Sequence, residues 1–345
     1  MTVADTFAGT GIFLLGGVAA ALYLLPFRAV KGWSYETGWL VSVVCGWLIF
    51  PLVFNALVVP DLLAVIKTGG AGTFVRTFAF GALWGIGALC WALMVRYLGV
   101  GLGLAIGAGL CAATGTLLPP VVTGHAAELI ATRGACIVLC GVIFSLFGIA
   151  LVGAAGRLKE NEMSAEEKLV AVKEYNFKKG LITAAIAGFA SAGLNFALQG
   201  APQWEAAALA QGASPKWAGM PVLMVTLWGG LAVQIVWVAL QHRHNRSFGD
   251  YLSVPALRGL ANYLLSASVG IIGVMQFVLQ KVGEPLMGSM RYISFGVLMA
   301  SAIFFSTLVG ASLGEWRGTS RRTRFVLALG LGVLLLAFTI ISIGQ

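Results

Sequence analysis

Residues 134–155 read GACIVLCGVIFSLFGIALVGAA, an apolar run without a charged side chain. The next segment, residues 156–179, reads GRLKENEMSAEEKLVAVKEYNFKK and carries six basic and five acidic residues. A helix needs roughly 20 apolar residues to cross the hydrocarbon core of a bilayer. The first segment is therefore predicted to span a membrane, and the second is predicted to lie in water as a connector.

The composition extends this prediction to the whole chain. Of the 345 residues, 59% are hydrophobic and 10% are charged, whereas a soluble domain has about 25% charged residues. This hydrophobicity excludes a disordered chain, and five cysteines inside apolar runs exclude a secreted disulfide scaffold. The runs predict an all-α membrane protein with ten transmembrane helices at 7–25, 39–59, 77–95, 99–119, 134–155, 180–199, 217–240, 259–279, 290–313 and 324–343.

The basic residues predict an orientation in the membrane. Loops that follow odd-numbered spans carry 16 of the 22 Lys and Arg residues, and the other loops carry 6. The positive-inside rule places the odd-numbered loops in the cytoplasm and both termini in the periplasm. No Lys or Arg precedes the first span, so a cleaved signal peptide is not expected. Because the net charge of +9 is explained by these loops, it gives no indication of a nucleic-acid partner.

The charged connector divides the ten spans into two groups of five. We predict a first repeat at 1–155, a cytoplasmic connector at 156–179 with a short surface helix capped by Ser164, and a second repeat at 180–345. A unit with an odd number of spans is inserted in the opposite orientation when it is repeated. Inverted repeats are typical of transporters that work by alternating access.

Two stripes of polar side chains recur at helical spacing inside the predicted spans. The sixth span carries Thr183, Ser191, Asn195 and Gln199, and the eighth carries Asn262, Ser266, Gly273, Gln276 and Gln280. Polar groups in hydrocarbon are costly, so these faces are expected to line a water-filled pathway or to bond one another between helices. Amides that both donate and accept suit a neutral polyhydroxylated solute. Trp84 and Tyr23 are candidates to line the same site.

Charged residues are absent from the centres of the predicted spans, which argues against a strongly charged cargo. If transport is coupled to protons, the acid must lie near the end of a span. Glu205 is the first candidate, because it follows the polar stripe of the sixth span where Gly200 and Pro202 predict a helix break. The other candidates are Asp5, Glu36 and Glu284.

Enzyme chemistry is not expected. The sequence shows no clustered nucleophile and base, and no motif for a cofactor. Cys136 and Cys140 lie one turn apart but have no His or carboxylate beside them, so no metal site is predicted.

Several blocks along the chain resemble the bacterial L-rhamnose–proton symporter family of the drug/metabolite transporter superfamily. They are PFRAVKGWSYET at 26–37, FGALWGIG at 80–87, RYLG at 96–99, FKKGL at 177–181, YIS at 292–294 and LGEW at 313–316. Departures occur at Ala88, Cys90 and Arg291, where the family has polar or acidic residues, so the exact sugar and the proton coupling stay open.

The resemblance implies ten helices in two inverted repeats, a location in the bacterial inner membrane and uptake of a deoxy sugar, L-rhamnose or a similar one, driven by a proton as the coupling ion. Under this interpretation the sugar is bound by residues of the two stripes and two aromatic side chains, namely Tyr23, Trp84, Ser191, Asn195, Gln199, Asn262, Gln276 and Gln280. The alternatives are a facilitator or exporter of another small polar metabolite and a membrane scaffold without transport activity.

Overall fold

The computed structural model describes residues 3–122, 124, 126–162, 176–312, 314 and 316–343. Across these residues the chain is helical and contains no strand. The α-helices are α1 Val3–Leu22, α2 Tyr35–Val44, α3 Phe50–Val58, α4 Leu62–Thr68, α5 Gly70–Val122, α6 Arg133–Glu162, α7 Phe177–Gln199, α8 Pro202–Ala210, α9 Met220–Asn245, α10 Ala256–Gly283, α11 Ser294–Ser312 and α12 Arg321–Ile343.

The helices have the length and composition of membrane spans. Within the described ranges, nine segments are long and apolar enough to cross a bilayer, and a shorter apolar helix covers Leu110–Val122. This confirms the prediction of an all-α protein with many membrane-spanning helices. The surface helix predicted at Ser164 lies outside the described residues.

Helix α5 contains the third and fourth predicted spans, which the sequence separates only by Arg96, Tyr97 and Leu98. Met94 Sδ packs directly against Gly107. An uninterrupted α-helix would place these two positions about 20 Å apart, because each residue advances the helix by about 1.5 Å. The chain must therefore reverse direction between them. The carbonyl of Tyr97 accepts a hydrogen bond from the backbone of Asn176 (3.2 Å), which lies outside the helix.

Helices α2 and α3 are joined by a π-helical turn at Cys45–Ile49, so the helical path is continuous from Tyr35 to Val58. A π-turn inserts an extra residue and rotates the side chains that follow it. Within this turn Gly46 lies directly on the backbone of Gly270 in α10. Two glycines facing each other let the two helices approach as closely as their backbones allow.

The predicted helix break after the sixth span is confirmed. Helix α7 ends at Gln199, and α8 begins at Pro202. Ala201 between them has non-helical dihedral angles, with φ −134° and ψ 54°. Proline at the start of α8 fits this arrangement, because a residue at the first helical position needs no backbone donor.

By its internal contacts the chain divides into two compact units. The first unit consists of Met1–Val18, Ile86–Asn195 and Gly283–Gln345, and the second of Ala19–Gly85 and Phe196–Val282. Each unit therefore takes segments from both halves of the sequence.

In the first unit, α6 packs along α12. Gly141 faces Ile341, Gly148 faces Leu334, and Gly330 faces Val152. In the second unit, α5 packs on α9 in the same way, and Gly85 lies against Gly230. Small residues at these crossings let the helices make close van der Waals contact. Such contact stabilises helix pairs in a membrane, where the hydrophobic effect does not act between helices.

We expect Gly270→Ala to destabilise the protein. A Cβ at this position would overlap the carbonyl of Ser42, and overpacking of this kind costs about 1–3 kcal/mol. The midpoint of thermal unfolding in detergent should fall. Gly72→Ala is the matched control, because a Cβ there meets no atom within 4 Å. An equal effect of the two substitutions would show that α2 and α3 do not depend on this close approach.

Candidate functional site

Most of the predicted site residues belong to the second unit. These are Tyr23, Trp84, Gln199, Asn262, Gln276, Gln280 and the acidic candidate Glu205, whereas Ser191 and Asn195 belong to the first unit. The positions of these side chains divide the predicted set into three groups. Some bond the backbone, one belongs to an aromatic cluster, and one forms an ion pair.

Trp84 lies in an aromatic cluster built by three segments of the second unit. Its ring centroid is 4.8 Å from that of Trp47 and 5.3 Å from that of Phe277, and Gly230 closes against the same ring. Trp84 is only 8% exposed, so little of its surface is open to a solute. Sequence reasoning missed Trp47, because its approach to Trp84 depends on the π-turn that contains it.

Tyr23 and Gln276 are brought together through Gly273. The Tyr23 ring packs on Gly273, and the Gln276 amide donates a hydrogen bond to the Gly273 carbonyl (2.7 Å). Both side chains are half-buried. A half-buried amide beside an aromatic ring offers the combination of polar and apolar contacts that a sugar requires.

Three of the predicted ligands are used by the backbone. Asn262 accepts from the backbone N–H of Lys31 (3.3 Å) and donates to its carbonyl (2.9 Å). In the first unit, Asn195 donates to the carbonyl of Gly115, and Ser191 donates to that of Ala187 (2.6 Å). In this conformation these side chains serve helix and loop packing, the alternative that the sequence left open for the polar stripes.

Gln234 joins two segments of the second unit and was also missed. Its carbonyl oxygen accepts from the indole N–H of Trp39 (3.0 Å), and its amide donates to the carbonyl of Gly85 (3.2 Å). It is 1% exposed. A single glutamine in an apolar span gives no stripe, so periodicity could not have identified it.

Gln199 and Gln280 complete the predicted amides. Gln199 is the last residue of α7, and its side-chain nitrogen is buried without a hydrogen-bond partner among the described residues. Gln280 is fully buried in α10. A buried donor without a partner is costly, and it is satisfied when a ligand oxygen reaches it.

Glu205 forms an ion pair with Lys281. The distance from Lys281 Nζ to Glu205 Oε1 is 2.7 Å, and the same ammonium lies 3.4 Å from the carbonyl of Leu198. The predicted eighth span ends at residue 279, whereas Lys281 lies in the last turn of α10 and is 5% exposed. Lys281 directly follows Gln280, the last residue of the polar stripe, and this position was the signal that could have identified it.

The other acidic candidates have different surroundings. Glu36 is buried and accepts hydrogen bonds from Asn245 (2.8 Å) and Ser247 (2.6 Å), which tie the start of α2 to the end of α9 and the turn that follows it. Glu284 belongs to the first unit and accepts from the hydroxyl of Ser294 (3.1 Å). Asp5 in α1 is half-buried.

The loop after α9 carries a further buried network. Asp250 accepts from the backbone N–H of Ser34 (2.7 Å) and from the hydroxyl of Thr37 (3.0 Å). Burial alone would raise the pKa of Asp250, but these hydrogen bonds and the nearby His242 outweigh it and hold the pKa below its ordinary value.

Comparison with known proteins gives a match over almost the whole chain. The model of the family described as L-rhamnose-proton symport protein (RhaT) matches residues 4–345. Proteins named L-rhamnose-proton symporter are similar in sequence. That of Cronobacter sakazakii is 35% identical over 335 residues, which is 96% of each chain. Those of Klebsiella pneumoniae subsp. pneumoniae and Salmonella paratyphi A are 35% and 36% identical over 340 residues, which is 97% of each chain.

We expect Asp250→Asn to lower the midpoint of thermal unfolding at neutral pH. Because the pKa of Asp250 is lowered in the folded state, its stabilising effect is complete above the unfolded value of about 3.9 and is lost as the pH falls through the folded value. The midpoints of wild type and variant should therefore differ above about pH 5 and converge at the acid end. Asp61→Asn, at an exposed helix cap, is the control. A constant difference at every pH would contradict the role of the charge.

Proposed function

Because the chain belongs to the L-rhamnose-proton symport protein family, we propose that it imports L-rhamnose, or a similar neutral deoxy sugar, together with a proton. The observation that carries this proposal is the similarity to L-rhamnose-proton symporters from one end of the chain to the other. The family consists of transporters, so the chain is a transporter and not an enzyme. Its cargo crosses the membrane by alternating access.

The sugar is bound by amides of α7 and α10. Gln276 and Gln199 contact its hydroxyls, Gln280 lies on the same helix one turn beyond Gln276, and Tyr23 covers an apolar face of the ring. Trp84 supports this site as part of the buried aromatic cluster. Ser191, Asn195 and Asn262 would bind a sugar only in a conformation in which their backbone hydrogen bonds open.

Glu205 is the proposed proton-coupling acid. It is paired with a buried lysine at the helix break that follows Gln199, close to the amides assigned to the sugar. Glu36 is held by two side chains at the end of α9 and in the turn that follows it, which favours a structural role for that carboxylate. A neutral sugar and a proton together carry one positive charge, so a single acid is sufficient for coupling.

The proposed architecture has ten transmembrane helices in two inverted repeats, at 1–155 and 180–345, joined by a cytoplasmic connector at 156–179. The reversal within α5 supports the division of that helix into two spans. We place the protein in the bacterial inner membrane with both termini in the periplasm, because the loops after odd-numbered spans hold 16 of the 22 basic residues.

We expect purified protein in liposomes to accumulate labelled L-rhamnose when the outside is more acidic than the lumen. The accumulation should stop when a protonophore removes the gradient, because the inward flow of protons supplies the energy. Liposomes without protein are the control. Equal uptake with and without the gradient would favour a facilitator, and no uptake under either condition would contradict transport of this sugar.

We expect Gln276→Ala to weaken L-rhamnose binding about tenfold, since a lost hydrogen bond costs about 0.5–1.5 kcal/mol and every 1.4 kcal/mol is a factor of ten. Binding is measured by isothermal titration with the detergent-purified protein. Gln211→Ala is the matched control, because Gln211 is exposed after α8. Asn195→Ala distinguishes the two interpretations of the stripes: unchanged binding in both Gln276→Ala and Asn195→Ala would mean that the stripes only pack helices.

A further inference from the structure

The broken end of α7 is held by two cationic side chains. The last carbonyls of a helix have no partner within the helix, and this end carries a partial negative charge. Arg76 Nη2 donates to the carbonyl of Gly200 (2.7 Å), and Lys281 Nζ lies 3.4 Å from the carbonyl of Leu198. The two cations thus replace the amide donors that an unbroken helix would have supplied.

Lys281 has a second partner, because its ammonium also donates to Glu205 at the start of α8 (2.7 Å). The Lys281 side chain is 3% exposed, whereas that of Glu205 is 24% exposed. The lysine is therefore enclosed, and the carboxylate is the member of the pair that water can reach. A proton arriving from solution would meet Glu205 first.

Gly219 makes room for this pair. A Cβ at this position would overlap Lys281 Cε and would lie 3.2 Å from Glu205 Oε1. Any other residue would displace the lysine from the carboxylate. The missing side chain of Gly219 thus leaves space for the ion pair, in which the Lys281 ammonium contacts both the end of α7 and the Glu205 carboxylate.

We propose that Lys281 is the positioning residue for proton coupling: its ammonium holds the Glu205 carboxylate at the helix break, and the broken end of α7 holds that ammonium once the carboxylate takes up a proton. The inference rests on the proposed function. When the Glu205 carboxylate takes up a proton it becomes a neutral acid, and Lys281 retains its own protons. The pair changes from net neutral to one positive charge, and no other bond forms or breaks.

Protonation of Glu205 affects the proposed sugar site through α7 and α10. Lys281 directly follows Gln280 in α10, and the carbonyl of Leu198 directly precedes Gln199 in α7. A lysine that loses its carboxylate partner draws closer to the carbonyls of α7, because an enclosed ammonium needs a negative partner. Protonation of Glu205 therefore changes the spacing of the amides assigned to the sugar.

The neighbouring elements also carry charged side chains. Helix α4 packs on α8 and carries the exposed Asp61 and Lys67, and the loop before α9 carries the exposed Lys216 over the ring of Trp217. Arg76 is engaged with Gly200. Lys281 contacts the Glu205 carboxylate directly, with 2.7 Å between Nζ and Oε1.

The test measures L-rhamnose binding against pH, together with exchange and gradient-driven accumulation in liposomes. Lys281→Met removes the ammonium that contacts the Glu205 carboxylate, so the dependence of binding on pH should differ from that of the wild type. Glu205→Gln resembles the protonated acid, so its binding and exchange should become independent of pH. Both variants should lose accumulation but retain exchange, and Lys281→Arg should keep the wild-type pH profile.

Lys216→Met is the matched control, since it removes an exposed lysine of the same unit and should leave the pH profile unchanged. A Lys281→Met protein whose pH profile is unchanged would overturn the inference. So would equal loss of binding at all pH values in Lys281→Met and Lys281→Arg, which would indicate a structural ion pair. If Lys281→Met does not fold, Glu205→Gln decides, because wild-type pH dependence in that variant would overturn the inference. Absence of uptake by the wild type would instead overturn the proposed function.

Discussion

Hydrocarbon offers no hydrogen-bond partner, and this constraint governs where the chain is helical and which polar groups remain available. Within the spans, hydroxyls such as that of Thr226 return a hydrogen bond to the preceding turn of their own helix. At the end of α7 the helix stops at Gln199, so its last carbonyls have no donors within the helix and need other partners. Arg76 and Lys281 fill that need, so the break brings buried positive charge to the place where the acid Glu205 begins the next helix.

The same constraint divides the amide side chains into those that pack helices and loops and those proposed to bind the sugar. Asn262 uses both its oxygen and its nitrogen on the backbone of Lys31, and Gln234 joins an indole to a carbonyl. Such side chains satisfy buried partners and would be costly to withdraw. Gln199 and Gln276 differ, because one has a buried nitrogen without a partner and the other bonds only a carbonyl of its own helix. The polar groups suited to a neutral solute thus lie near the ion pair.

Much of the fold could be predicted from the sequence because the signals are local. Twenty-residue apolar runs indicate membrane helices wherever they occur, and the Gly200–Pro202 segment indicated the break between α7 and α8. The candidate site was predicted only in outline. A stripe tells which residues share a face, but it does not tell whether that face meets a backbone, as for Asn195, or a ring, as for Gly273 against Tyr23.

The sequence by itself determined the helical membrane class and the helix break before Glu205, since the first depends on hydrophobicity counted along the chain and the second on a local Gly-Ala-Pro segment. Only the tertiary structure decided that Trp47 reaches Trp84 and that Lys281 is enclosed beside Glu205. The physical reason is that these contacts join residues far apart in sequence. The first depends on a π-turn and on paired glycines, and the second depends on the space left by Gly219. Neither contact produces a periodic pattern in the sequence.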